Sequence, residues 1–315
     1  MPEWEISRLP TEEIWAVCDG SRQPVISAVT AHMLATEGKL LRSSVLLEIA
    51  SLGPNSGSPF VLRAAAVIET LHLASLVHDD VIDDSGFRRG KVTIGPRFGC
   101  VAAALAGGWL FARSVEAISI CGDTVVELFS DAVVQMCAGE MLEVEDLHNT
   151  ERSVERYWQA VYGKTAALFA LSARLGAELG GLGPLECAAF EEFGNHLGIA
   201  FQVADDILDL TADERITGKP AGSDVRHGVY TLPVLYALAE SPRLRDRLVH
   251  RTSQTGQADL VRAITMTQGV GRALADCRRE ADAALEAIGD VVGGEDRRRL
   301  EQFVQQAVAP AWSGR

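Results

Sequence analysis

The chain has 315 residues, 47% hydrophobic and 6% aromatic, and a formal net charge of −14 from 29 basic and 43 acidic side chains. That is ample apolar material for a sizeable core, and the acidic balance argues against a nucleic-acid partner, which needs a basic face. Six singly scattered cysteines with no Cys-x-x-Cys pair argue against a zinc ribbon or a redox motif and fit reduced thiols in a cytoplasmic protein.

Residues 1–14 carry charge throughout and contain no stretch of signal-peptide type. No window is read as a membrane span, so no integral membrane segment is expected. In chain order, apolar periodicity near 3.6 predicts helices over 23–36, 43–50, 59–83, 100–119, 124–149, 153–178, 185–210, 232–240, 244–251, 258–266, 270–287 and 295–308. The breaks carry Gly and Pro, as in Gly53-Pro54-Asn55-Ser56-Gly57 and Gly180-Gly181-Leu182-Gly183-Pro184. Alternating β-branched runs are nearly absent, and no linker is long enough to split the chain. The expectation is a single all-α domain over 1–315.

The predicted helix over 59–83 ends in His78-Asp79-Asp80-Val81-Ile82-Asp83-Asp84, and the one over 185–210 ends in Ala204-Asp205-Asp206-Ile207-Leu208-Asp209. Each is an Asp-Asp-x-x-Asp cluster in an apolar run, where a carboxylate costs several kcal/mol to bury without a partner. Asp79 and Asp83, like Asp205 and Asp209, are four apart, about 6 Å along one helix face. With Asp80 and Asp206 beside them, each trio is expected to project into one small volume. Oxygen-only ligands of this kind select Mg²⁺ or Mn²⁺ over zinc. A lone cluster is as often a solvated or capping feature; two matching clusters are harder to explain that way. Neither has the alternating ligands, central Gly and late Glu of an EF-hand loop.

Basic groups accompany both clusters: Gly38-Lys39-Leu40-Leu41-Arg42, Arg88-Arg89-Gly90-Lys91, Gly163-Lys164-Thr165 and Lys219. Arg suits bidentate phosphate contacts and Lys supplies a point charge. His72 lies two helical turns before Asp79; taken alone, it reads as a satisfied core histidine. Phe201-Gln202 likewise reads as aromatic packing and a buried amide with local partners.

Together these segments resemble the all-trans isoprenyl (polyprenyl) diphosphate synthase family. The match runs from Glu37-Gly38-Lys39-Leu40-Leu41-Arg42 through both Asp motifs and Gly198-Ile199-Ala200-Phe201-Gln202 to Thr231-Leu232-Pro233, in the family's order. The resemblance implies an isoprenoid-synthase-type helical bundle around a central active-site cavity, and a homodimer. It implies that Asp79, Asp80, Asp83, Asp205, Asp206 and Asp209 hold Mg²⁺ on an allylic diphosphate, with Arg88, Lys164, Gln202 and Lys219 helping. Lys39, Arg42, His72 and Arg89 would hold isopentenyl diphosphate. The catalytic set is then Asp79, Asp80, Asp83, Lys164, Gln202 and Asp205. Chain length in this family is limited by bulk before the first motif. Ala74 and Ser75 are small there and Leu71 is moderate, which points to a product of geranylgeranyl length or longer.

Several positions depart from the family pattern. Ser43 stands where Pro is usual, Val92 where Arg-Gly-Lys is usually followed by Pro, Gly107-Gly108 for Gly-Asp, Glu143 for Gln, and Val229 for a Lys before Thr-Leu-Pro. The alternatives are a terpene synthase or a prenyltransferase with a non-isoprenoid acceptor on the same scaffold, and a non-catalytic subunit of a heteromeric synthase. The complete second-substrate set opposes a cyclase, and the six retained Asp residues oppose a non-catalytic subunit.

Overall fold

In a computed structural model of the chain, Ser58 caps a 24-residue helix by accepting a hydrogen bond from the Phe60 N–H (3.3 Å), with Pro59 at the first helical position. Ser58 supplies an acceptor for an N–H the helix start leaves unmet, and Pro59 has no N–H to leave unmet. The structure describes residues 11–18, 24–35, 38–83, 86–88, 91–212, 221–249 and 256–312. They form two compact units, Met1–Asp131 with Leu171–Phe190, and Ala132–Ala170 with Glu191–Arg315.

The first unit contains α1 (Thr11–Cys18), α2 (Pro24–Leu34), α3 (Leu41–Ala50), α4 (Pro59–Ile82), a two-stranded antiparallel hairpin (β1 Phe87–Arg88, β2 Lys91–Val92), α5 (Ile94–Phe98) and α6 (Cys100–Ile118). α4 is its centre. Val61, Ala64, Val67, Ile68, Leu71, Ala74 and Val77 are buried, each larger side chain contributing ~1.5–3 kcal/mol. α6 packs on α4 because Gly107 leaves room: a Cβ there would meet the His78 ring at 2.3 Å.

α7 (Asp123–Glu145), α9 (Ala167–Gly180) and α10 (Pro184–Thr211) run from one unit into the other. The second unit adds α8 (Val154–Val161), α11 (Ser223–His227), α12 (Leu232–Glu240), α13 (Pro242–Val249), α14 (Gln257–Thr265), α15 (Gly269–Ala287) and α16 (Gly294–Trp312). α8 joins α9 through a π-helical turn, Tyr162–Ala166. There α7 crosses backbone on backbone: a Cβ on Gly139 would lie 2.2 Å from the Lys164 nitrogen, and one on Gly163 2.6 Å from the Gln135 carbonyl oxygen.

The predicted helices are present. The segment 153–178, read as one helix, is α8, the π turn and α9 in series, and 124–149 overruns α7 by four residues. α1, α5, α11 and the hairpin are additions. By length and hydropathy alone, α4 and Cys100–Cys121 qualify as membrane spans, contrary to the sequence reading. In α4, 61% of that window is packed inside the protein, against 39% in Cys100–Cys121.

Candidate active site

On α4 the register separates the first cluster. Residues four apart share a face and the next residue is turned by 100°. His72, Asp79 and Asp83 therefore align, while Asp80 lies round the helix with Leu73, Leu76 and Val77. Those four line a small open cavity with His32, Val92 and Ile94. Leu71 lies on the opposite face from that cavity and Ala74 to one side of it; both are buried and Ser75 is half-buried, its hydroxyl donating to the His72 carbonyl (2.9 Å). Asp79 and Asp80 are half-buried, and Asp83 is exposed at the helix end.

The second-substrate residues of this unit gather at the start of α3. Leu40 takes a left-handed conformation (φ 49°) as the helix begins, after exposed Lys39. Arg42 Nη1 donates to His72 Nε2 at 3.1 Å, so the imidazole proton belongs on Nδ1. Ser43, where the family has Pro, uses the N–H that Pro lacks: it donates to Glu69 Oε1 at 2.8 Å. The Arg88 side chain, and Arg89 and Lys219, lie outside the described residues.

Sequence reasoning missed His32. Its Nε2–H donates to the Val92 carbonyl (2.7 Å), its Nδ1 accepts from Arg97 Nη1 (2.9 Å), and Lys91 donates to the Ala35 carbonyl. The hairpin is thereby fixed to the last turn of α2. These contacts join residues 56–65 apart in sequence, with no local signal to announce them.

In the second unit the three carboxylates of the cluster meet different surroundings. Asp205 is exposed, but Asp206 is 2% exposed. It accepts from the Tyr157 hydroxyl (2.5 Å) and from Gln202 Nε2 (2.8 Å), and Gln202 in turn accepts from Thr165 (2.8 Å). Burial pushes the Asp206 carboxyl up to about 7; the two hydrogen bonds pull it down, and the Asp205 and Glu143 charges add to the rise. The same burial, with Asp206 beside it, raises the Tyr157 phenol well above its usual range. Asp209 is occupied differently, accepting from the Ser223 and Asp224 N–H groups (3.1 and 3.2 Å) and so capping α11. Asp206, expected as a metal ligand, is in this structure a buried carboxylate held by two hydrogen bonds. Gln202 has the local partners that its bland reading gives it, and Phe201 packs on Phe169.

Asp224, also missed, follows that cap. Burial first, then Asp209, Asp206, Asp205 and Glu143, raise its carboxyl well above the ordinary range. Lys164, in the π turn, is held by Glu140 Oε2 (2.9 Å) and Glu143 Oε1 (2.5 Å). A π turn commonly marks a functional position; here it presents Lys164 to α7. Val229, where the family has a Lys, donates its backbone N–H to the Asp224 carbonyl (2.9 Å). Asp146, Arg152 and Arg156 brace the neighbouring loop, with Arg152 also donating to the Tyr230 carbonyl (3.2 Å).

Among the described residues, no three His, Cys, Asp or Glu side chains already stand as a metal-ligating group. The donors at both helix ends are nonetheless carboxylates only, the set for a hard cation. The repulsion that raises Asp224 is relieved by added positive charge.

The model for polyprenyl synthetase matches residues 23–266. The chain belongs to the polyprenyl synthetase family. It is 33% identical over 293 residues to solanesyl-diphosphate synthase 2 of Oryza sativa subsp. japonica, covering 91% of this chain and 73% of that one. It is 35% identical over 276 residues to heptaprenyl diphosphate synthase component 2 of Geobacillus stearothermophilus, covering 86% of each. A polyprenyl synthase from Caulobacter crescentus, solved with calcium and isoprenyl diphosphate, superposes with a TM-score of 0.87 at 30% identity, over 97% of this chain and 93% of that one. This family member is a trans-prenyltransferase, a polyprenyl diphosphate synthase that condenses isopentenyl diphosphate with an allylic diphosphate into a linear product. The family depends on a divalent metal.

Proposed function

We propose that the enzyme works with Mg²⁺ and extends its product to geranylgeranyl length or beyond, with the whole chain acting as one catalytic domain. Asp79, Asp80 and Asp83 at the end of α4, and Asp205 and Asp209 at the end of α10, would hold the metal. Bound there, Mg²⁺ supplies charge stabilisation for the departing diphosphate. Lys164, with Arg88 and Lys219, receives the allylic diphosphate as it leaves. Lys39, Arg42, His72 and Arg89 hold the isopentenyl diphosphate, whose double bond attacks the allylic cation. The diphosphate just released takes the proton lost from the adduct. Apolar surroundings keep water from the cation.

The observation that carries this reading is the aligned carboxylate pair with His72 on α4. Arg42, braced on His72 through a 3.1 Å hydrogen bond, adds a cation beside it. Purified protein incubated with Mg²⁺, isopentenyl diphosphate and each allylic diphosphate tests it. Linear diphosphates are expected; cyclic hydrocarbons would turn the reading to a terpene synthase, and no turnover would favour a subunit that needs a partner.

That last outcome has at least two relatives behind it, since the Geobacillus protein and one from Bacillus subtilis are each named component 2 of a heptaprenyl diphosphate synthase. A homodimer is the assembly we favour. α6 exposes Val101 (75%), Leu105 (70%) and Val115 along one stripe, the apolar surface a second copy would cover. Six free cysteines support a cytoplasmic enzyme. Small side chains at Ala74 and Ser75, with Leu71 a turn deeper, support the longer product.

A further inference from the structure

Lys164 has two carboxylates on one ammonium. Glu140 and Glu143 stand three apart on α7, a spacing that puts both on one helix face. The Gly139–Gly163 crossing presses the π turn against that face. All three side chains are half-buried, between 20% and 26% exposed, so water screens them less than it would a surface pair. Two carboxylates thus contact this one ammonium. Glu143 makes the shorter contact, 2.5 Å against 2.9 Å, and it is also among the charges felt by Asp206 and Asp224. An incoming diphosphate must compete with Glu143 for the ammonium, and it meets like charge while doing so. A diphosphate already complexed with a divalent cation brings less negative charge to the same place.

We infer that Glu143 is a specificity-determining residue: it withholds Lys164 from metal-free diphosphates and yields it to metal-complexed ones. This rests on the reading that Lys164 receives the allylic diphosphate. Glu143→Gln keeps the length and one acceptor oxygen of the side chain while deleting its charge.

Calorimetric titration with inorganic diphosphate, in EDTA and again in saturating Mg²⁺, tests the inference on the full chain. Melting curves confirm that each variant folds. In EDTA, Glu143→Gln should bind diphosphate about tenfold more tightly than the parent, the size expected for releasing one charged hydrogen bond. In Mg²⁺ the gain should shrink to within about twofold, and in a Lys164→Gln background the gain in EDTA should fall to the roughly twofold left by relief of like-charge repulsion alone. Glu143→Ala gives the same comparison if the Gln variant fails to fold, and Glu143→Asp, which keeps the charge, should behave like the parent. An unchanged dissociation constant in EDTA, or an equal gain without Lys164, overturns the inference. If Lys164→Gln alone leaves diphosphate binding unaltered in both conditions, the underlying assignment of Lys164 falls instead.

Discussion

At the end of α4, Asp79 and Asp80 are half-buried and Asp83 is exposed; at the end of α10, only Asp205 is exposed, Asp206 is buried and Asp209 caps α11. The two runs have the same spacing, and in both the first and last Asp share a face while the middle one is turned by 100°. What that turned face meets decides the outcome. On α4 it meets an open cavity beside the hairpin; on α10 it meets the Tyr157 hydroxyl. A motif of identical letters thus supplies three accessible carboxylates in one place, and in the other one accessible carboxylate, one buried anchor and one cap.

The largest expected effect follows from the accessible members. Asp79→Ala and Asp205→Ala should each lower kcat by ~10²–10³-fold, the loss seen when a transition-state charge partner is removed. Steady-state kinetics at saturating Mg²⁺ measures it, and a loss under tenfold for either would break the assignment. Next is Gly139→Ala. Its Cβ has no room beside the Lys164 backbone, so denaturant unfolding should show a loss of ~1–3 kcal/mol from overpacking, with activity reduced because the π turn shifts. Tyr157→Phe should cost ~1–3 kcal/mol by the same measurement, because buried Asp206 loses a donor, while the Mg²⁺ dependence of activity stays that of the parent. A changed Mg²⁺ dependence would mean that Asp206 is not an anchor alone. Ala74→Phe should shorten the product and, because Ala74 is buried, should also cost ~1–3 kcal/mol of stability from overpacking; unchanged product length would show that the chain does not grow past Ala74.

The comparison also marks how far sequence reaches. Helices with several turns of periodicity were legible nearly to the residue: 59–83 against Pro59–Ile82, and 270–287 against Gly269–Ala287. α5 and α11, five residues each, are too short to show a period. The π turn follows from a crossing between Gly139 and Gly163, which no local pattern encodes. Within the site, the four-residue spacing of Asp79 and Asp83 was readable because a helix fixes it. The fate of Asp206 was not, because its partner Tyr157 is 49 residues away. For the same reason Glu143 read only as a departure until its contact with Lys164, 21 residues on, gave it a role.

The smallest expected effect lies away from both clusters. A hydrogen bond to Glu280 raises the His196 pKa above its usual value, against the cost of burial, with the Glu280 and Glu192 charges assisting. Its contribution to stability is complete below the unfolded value of about 6.5 and is lost as pH rises through the higher folded value. Melting temperatures of parent and His196→Gln should therefore differ most below about pH 6 and converge at higher pH; a constant offset would contradict it.

The central claim is that the exposed Asp of the α10 cluster serves the cation while its buried neighbour serves the fold. Mn²⁺ binding in the presence of inorganic diphosphate, followed by electron paramagnetic resonance on Asp205→Asn and Asp206→Asn side by side, tests it most directly. The account predicts that Asp205→Asn loses bound Mn²⁺ while Asp206→Asn retains the parent's stoichiometry and melts at a lower temperature. Loss of Mn²⁺ from Asp206→Asn, or its retention by Asp205→Asn, would contradict it.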